Sequence, residues 1–367
     1  MIRFSNSKLN LVLNCPMSYY LNYVKEISLK DKPTALALGS AVHYGLEIGD
    51  SNLDEYFKKN GNFEQRNCYS NEQLLAESMV NGYLKHKEEI FNEILMYNGE
   101  KLNVIDEQHE LELTAPLPDT DDTFFGIIDL LLLTEKGFIL LDYKTSSITP
   151  NWDEYIEQIY RYIFLLRENF PGVPILKIGI INLRKTQVRQ KKNENEEELR
   201  NRIRWEYESN SDNYINYHEY LPSELEPTLI NNYIDNLYKM CKTASLIIAN
   251  KNWYISYTNA NGMYKSQYWD IFYSTPNAYI KYKIKDKIWD EENEVMLEER
   301  DCNELDMKCI VLEDKLLNKY EHFEIIKDTC KSMDLNKFIN YLKNNGYEFD
   351  TELIEKYYKT YQKLHNL

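Results

Sequence analysis

The chain has 367 residues, is 43% hydrophobic and carries a formal net charge of −16 at pH 7. That is enough apolar content for one large or two ordinary domains, and too much for a disordered protein. The acidity argues against a protein that coats nucleic acid through bulk charge, but it leaves room for a local basic path or for phosphate contact through metal ions. No stretch reaches the ~20 apolar residues of a membrane-spanning helix. The first ten residues lack the apolar run of a secretory signal, and the six cysteines are too scattered for a disulfide framework. A cytoplasmic setting without membrane contact is expected.

In chain order, SNSKLNLVLNCPMSYYLNYV has apolar residues at helical spacing, with Pro16 placed to kink or divide the helix. Further helices are predicted around ALALGSAVHYGLEIGD and NEQLLAESMVNGYLKHKEEIFNEILMY, so residues 1–100 read as a helical block. EQHELELTAP then alternates as a half-buried strand does, and TFFGIIDLLLL and FILLDYK are apolar on both faces, as central strands are. A helix follows, with Thr149 at its N-cap and Pro150 at its first position, and ILKIGIINL is another buried strand. Strand, strand, helix, strand is an α/β core. The run RKTQVRQKK is basic and NENEEE is acidic; together they suit a solvated hairpin or helix, or, in the basic part, a phosphate path along Arg184, Lys185, Arg189, Lys191 and Lys192. Residues beyond Trp253 are aromatic and irregular. Beyond about Glu291 the chain turns charged and helical. The expected division is a helical part over 1–100, a core with return helices over 101–290 and a mainly helical appendage over 291–367.

Two carboxylates stand where grease is expected. Asp129 lies inside GIIDLLLL, on the strand face of Ile127 and Leu131, and Asp142 ends FILLD. A buried carboxylate is costly unless paired or bound to a metal. A strand, a turn and an antiparallel strand can bring the two acids together, where oxygen ligands favour Mg²⁺ or Mn²⁺. Lys144, on the face of Asp142, can then hold or activate a water and counter the charge of an attacked phosphodiester. A strand-end salt bridge is the plain alternative for DYK alone. Gln158 and Tyr162, four apart, share a face of the next helix.

The ordered set GIID, DYK and QIYRY, with LNCPMSYYL and GSAVH before it, resembles the RecB-like branch of the PD-(D/E)XK nucleases. That branch includes helicase–nuclease subunits, CRISPR-adaptation nucleases and phage exonucleases. The resemblance covers about Ser5 to Leu183. It implies a restriction-endonuclease-like core, a central mixed sheet flanked by helices, with helical additions at both ends. It also implies roles: His43, Asp129, Asp142 and the Tyr143 main-chain carbonyl as metal ligands, Lys144 positioning the attacking water, and Gln158 and Tyr162 orienting the lysine or the scissile phosphate. Glu107 looks like an accessory acid.

Many members of that branch hold an iron–sulfur cluster. Cys15 matches its first cysteine, but the stretch that should supply the others has none, and Cys302, Cys309 and Cys330 are spaced too widely, so no cluster is expected. The aromatic residues there would pack in its place or stack bases. With no GxxxxGK[ST] motif, any helicase working with the chain must be another protein. The expected activity is metal-dependent hydrolysis of single- or double-stranded DNA, as an exonuclease at ends. The rivals are a flap- or branch-specific endonuclease and a non-catalytic module binding DNA or a partner. A separate replication or recombination protein is a further expected partner.

Overall fold

Runs too apolar to be solvated on either face become the middle of a sheet. The computed structural model describes residues 1–30, 34–60, 69–148, 150–220, 224–260, 266–273, 278–289, 295–317, 334–344 and 350–364. They group into two compact units, Met1–Asn6 with Lys32–Lys239, and Ser7–Asp31 with Met240–Leu367; the second boundary falls inside the helix Pro227–Ala249.

The first unit is built on six strands: β1 (Arg3–Phe4), β2 (Val104–Pro116), β3 (Thr123–Thr134), β4 (Phe138–Ser146), β5 (Ile175–Arg184) and β6 (Ile215–Glu219). Their order is β1-β3-β4-β5-β6, with β2 also pairing β3. β1 is parallel to β3 and β4 is parallel to β5, while the other pairs are antiparallel. This is a mixed sheet, and helices cover it. The helices α1 (Thr34–Ile48), α2 (Tyr69–Ile94) and, later in the chain, α4 (Glu196–Ser209) pack on one face, against Leu130, Leu132, Ile139, Leu141, Tyr143, Ile181 and Leu183. The helix α3 (Ile156–Asn169) joins β4 to β5 as the crossover that parallel strands require, and it lies on the opposite face. Burying each of these leucines and isoleucines is worth roughly 1.5–3 kcal/mol relative to exposure.

The hairpin β3–β4 is paired only over Leu130–Leu133 against Phe138–Leu141. Beyond it, β4 stays with β5 as far as Ser146, while β3 continues with β2 and meets β1 only at Thr123–Phe124. The sheet therefore forks, and Asp129 and Asp142 are the first residues past the closed end.

In the second unit Pro16 divides the first helix as its missing N–H dictates, giving Asn6–Asn14 and Pro16–Tyr19. Trp253 stacks on Tyr19 and Tyr20 at 5.8 and 5.4 Å, and Met17 N–H donates to the Tyr254 carbonyl. The aromatic stretch thus packs against the Cys-Pro helix. The strands Tyr282–Trp289 and Val295–Asp301, in stretches expected to be irregular and then helical, instead pair antiparallel and are extended by Ile27–Leu29. The helices Glu304–Leu317, Leu335–Asn344 and Thr351–Leu364 share a small core of Leu312, Leu342, Ile354 and Tyr357. No helix among the described residues is long and apolar enough to cross a membrane.

The turn into α3 also departs from expectation. Thr149 lies outside the described residues, and Pro150 does not open the helix. A 3-10 turn, Trp152–Tyr155, comes first, and α3 begins at Ile156. The turn sets both aromatic rings beside the sheet instead of in the helix.

Candidate active site

At the fork, Asp129 replaces a ladder bond with its side chain: Tyr143 N–H donates to Asp129 Oδ2 at 2.7 Å. The strand is irregular at this level. Phe124 and Gly126 meet Phe164, Leu165 and Tyr162 of α3, yet Leu130 and Leu132, at the same parity, belong to the core on the other face. The alternation reverses between them. Glu110, flanked by the pairs His109↔Leu130 and Leu111↔Ile128, therefore stands opposite Asp129, and its φ is +46°. A non-glycine residue there is held in a sparsely populated conformation, the kind of strain that concentrates at functional sites.

His43 of α1 completes the group, with Nδ1 3.6 Å from Asp129 Oδ1 and 3.7 Å from Glu110 Oε1. One ligand atom from each of His43, Glu110 and Asp129 lies within 4.8 Å of the others, so these residues could hold a metal ion. Gly39, one turn earlier, lets α1 approach β4: a Cβ there would sit 3.3 Å from Thr145 Oγ1. Gly126 does the same for α3, since a Cβ would sit 2.8 Å from Leu165 and 3.4 Å from the Tyr162 ring. The two glycines thus bring His43 and Tyr162 to the fork.

Asp142 is 1% exposed. Its Oδ1 accepts from Gln158 Nε2 at 3.1 Å and from the Tyr162 hydroxyl at 3.5 Å, while Gln158 Nε2 also donates to that hydroxyl at 2.6 Å. Gln158 and Tyr162 therefore hold the carboxylate rather than Lys144. The other oxygen, Oδ2, forms a buried ion pair with Lys144 Nζ at 2.5 Å. Lys144 Nζ also sits 5.2 Å from the centre of the Tyr155 ring.

The charges are strongly coupled. Burial pushes the Asp142 carboxyl up to about 6; Lys144 pulls against this and the Asp129 charge adds to it. Burial also works to raise Asp129, but His43, Lys144 and the Tyr143 N–H outweigh it and hold that carboxyl below its ordinary value. For His43 burial works downward, and Asp129 and Glu110, with the Asp142 charge behind them, overcome it, raising the imidazole to about 10. Lys144 is likewise raised, Asp142 and Asp129 outweighing its burial. Without a cation the group holds its protons tightly; a divalent ion would replace them.

Of the residues singled out in the sequence, the structure brings His43, Asp129, Asp142, Lys144, Gln158 and Tyr162 to one place. The side chain of Tyr143 points into the core, its hydroxyl 2.9 Å from that of Tyr83. Glu107 is not in the group: it pairs with Lys87 at 2.9 Å and His109 at 2.8 Å. Glu110 was missed. Its only signal was its position opposite Asp129, found by counting strand pairs back from the turn. Arg184 ends β5 beside Ser146 of β4. Lys185 N–H donates to the Ser146 carbonyl at 2.7 Å, so the basic loop leaves the sheet at the edge where Lys144 stands. Arg189, Lys191 and Lys192 are exposed, and the acidic Glu194 is engaged by Arg202 at 2.6 Å.

A family model described as the PD-(D/E)XK nuclease superfamily matches residues 3–229, which include every side chain just named. Among solved structures, the chain is similar to the crystal structure of a candidate exonuclease from Eubacterium rectale. The identity is 15%, over 66% of this chain and 81% of that one, with a TM-score of 0.42. No curated protein matches.

Proposed function

The chain belongs to the PD-(D/E)XK nuclease superfamily, and from that premise we propose that it is a metal-dependent deoxyribonuclease acting as an exonuclease at DNA ends. The observation that carries the reading is the close group of His43, Glu110 and Asp129, whose ligand atoms lie within 4.8 Å of one another, beside the buried Asp142–Lys144 pair. A histidine and carboxylates gathered so closely at the fork fit a hard divalent cation. His43, Glu110, Asp129 and Asp142 would hold it, with the Tyr143 carbonyl as a further oxygen. Mg²⁺ or Mn²⁺ suits that donor set, and when bound it supplies Lewis-acid polarisation of the phosphate and a more acidic water.

The chain's own residues then have distinct tasks. Gln158 and Tyr162 fix Oδ1 of Asp142, so the orientation of Oδ2 is set. Lys144, held protonated by two carboxylates, orients the attacking water and balances the charge that develops on the phosphate, instead of removing a proton. Glu110 and Asp129 hold His43 between them. The basic loop over 184–192 suits a phosphate backbone without regard to base sequence. End processing is chosen because it is what the RecB-like nucleases, which the motifs resemble, commonly do; any motor would be a separate chain.

The test is cleavage of linear and of covalently closed circular DNA with Mn²⁺ or Mg²⁺, for wild type and Lys144→Ala. Degradation of the linear form alone, lost in the variant, is expected. Cutting of the circle would make the protein an endonuclease, and equal cutting by the variant would reduce Asp142–Lys144 to a salt bridge.

A further inference from the structure

Buried polar atoms are nearly always hydrogen-bonded, so where several are not, a ligand or ordered water is the usual reason. Among the described residues, Asp142 Oδ2 apart because Lys144 Nζ faces it, eight buried side-chain atoms lack a hydrogen-bond partner, and five of them belong to one patch of sheet: Ser146 Oγ, both amide atoms of Asn182, Arg184 Nε and His218 Nε2. Register puts them on one face. Lys144 of β4 is beside Asn182 of β5, which is beside Asn216 of β6; Ser146 is beside Arg184, and Ile180 is beside His218. The alternate residues Tyr143, Ile181 and Leu183 point into the core on the other side. Asn182 is 0% exposed.

Such a row stands against ordinary packing. A sealed amide with neither donor nor acceptor satisfied destabilises the fold, and a leucine of similar volume would not. The Asn182 amide nitrogen and Arg184 Nε are donors, the Ser146 hydroxyl and His218 Nε2 can donate, and the row runs from Lys144 outward to the basic loop. Donors of that kind suit an anion. Successive rows are two residues apart, or about 6.6 Å along the strand, which is of the order of the phosphate spacing along one nucleic-acid strand. The turn Trp152–Tyr155 lies over the inner end of the row: Tyr155 lies against Lys144, and Trp152 stacks on His218 with ring centres 4.6 Å apart and planes 4° from parallel.

We propose that Ser146 and Arg184, floored by Asn182, form a second phosphate subsite, which takes the substrate phosphate next to the one being cut. It rests on the nuclease reading for the identity of the substrate. Asn182 is a positioning residue that keeps the floor polar, and Ser146 and Arg184 make the contacts.

The experiment is binding of a short, labelled single-stranded oligonucleotide in EDTA, followed by anisotropy across a salt series, with melting temperatures measured in parallel. Arg184→Met should weaken binding about tenfold and lower the slope of log affinity against log salt by about 0.7, the share of one phosphate contact. Asn182→Leu should bind less tightly while melting no lower than wild type, a combination that a residue serving only the fold does not give. If leucine is not accommodated, Ser146→Ala carries the same comparison. Wild-type affinity in Asn182→Leu or Ser146→Ala, an unchanged salt slope in Arg184→Met, or no binding by wild type overturns the subsite. The two readings separate cleanly. A wild type that binds with these slopes but never cuts removes the nuclease and keeps the subsite, and one that cuts while the variants behave as wild type does the reverse.

Discussion

The strand β4 has two halves that differ in almost everything but their continuity. Over Phe138–Leu141 it is paired on both edges, apolar on both faces and buried. Over Asp142–Ser146 it is paired with β5 alone, and it carries a carboxylate and a lysine paired with each other and a serine whose buried hydroxyl has no partner. The closed half is stabilised by burial; the open half gives up stability to keep polar atoms available. The boundary is set by where β3 departs. Losing one strand partner turns a structural element into a reactive one, and a perturbed carboxyl–lysine pair at that boundary is what functional sites commonly show.

The largest effect expected from breaking this contrast is on the open side. Asp129→Asn keeps an oxygen to accept from the Tyr143 N–H but removes the charge, so cleavage by the folded variant should fall by about 10³-fold, and the melting temperature should fall by the share of the His43 pairing that is lost. Near wild-type cleavage by the folded variant would make Asp129 a structural acid. The closed side should answer in the opposite way. Leu141→Ala should cost about 2–5 kcal/mol in denaturant unfolding, with the molecules that remain folded still cutting DNA. If the activity of Leu141→Ala vanishes while its stability holds, the two halves are not separable.

How much of this was legible in the sequence follows from how local each signal is. Asp142 with Lys144, and Gln158 with Tyr162, are spaced by the periods of a strand and a helix, so their grouping could be read directly. Asp129 could be recognised as misplaced in a leucine run, but its strand face could not. Strict alternation puts it with Ile127 and Leu131, whereas the reversal opposite Glu110 depends on a positive φ that no residue type announces. The same blindness favoured Glu107 over Glu110, two acids three residues apart in a chain segment rich in both. The fork itself is a matter of long-range pairing. Strands as short as Arg3–Phe4 and Ile215–Glu219 show no period at all, and the pairing of Tyr282–Trp289 with Val295–Asp301 was hidden by its charge, although Tyr282, Ile284 and Ile288 do alternate.

Proton linkage sharpens the contrast with a smaller effect. Without metal, His43 stands at about 10, above its ordinary 6.5. Its pairing therefore stabilises the fold fully below about pH 6.5, and that contribution is lost as the pH rises through about 10. A metal on His43 needs the proton gone, so affinity should rise across the same window by about tenfold per pH unit for each proton released. Asp142, raised to about 6, adds a second proton below that value. Metal-stripped protein titrated with Mn²⁺ at several pH values, and followed by melting temperature, should show a metal-induced gain that grows with pH. A gain independent of pH would remove His43 from the ligand set.

The smallest effect separates the two helix residues that hold Asp142. Gln158 Nε2 is 3.1 Å from Oδ1 and the Tyr162 hydroxyl is 3.5 Å away, and a hydrogen bond to the charged form is what keeps a carboxyl ionised. Removing a donor should let the Asp142 carboxyl rise further above about 6, because burial and the Asp129 charge then meet less opposition. The acidic limb of Mn²⁺ affinity against pH, read on metal-stripped protein, should move to higher pH, by about one unit for Gln158→Leu and by less for Tyr162→Phe, whose contact is the longer. The affinity at higher pH, where Asp142 is ionised in every variant, should change little. An unmoved limb with a uniform drop in cleavage rate at all pH values would mean that Gln158 acts on the substrate instead, and that Asp142 is held by Lys144 alone.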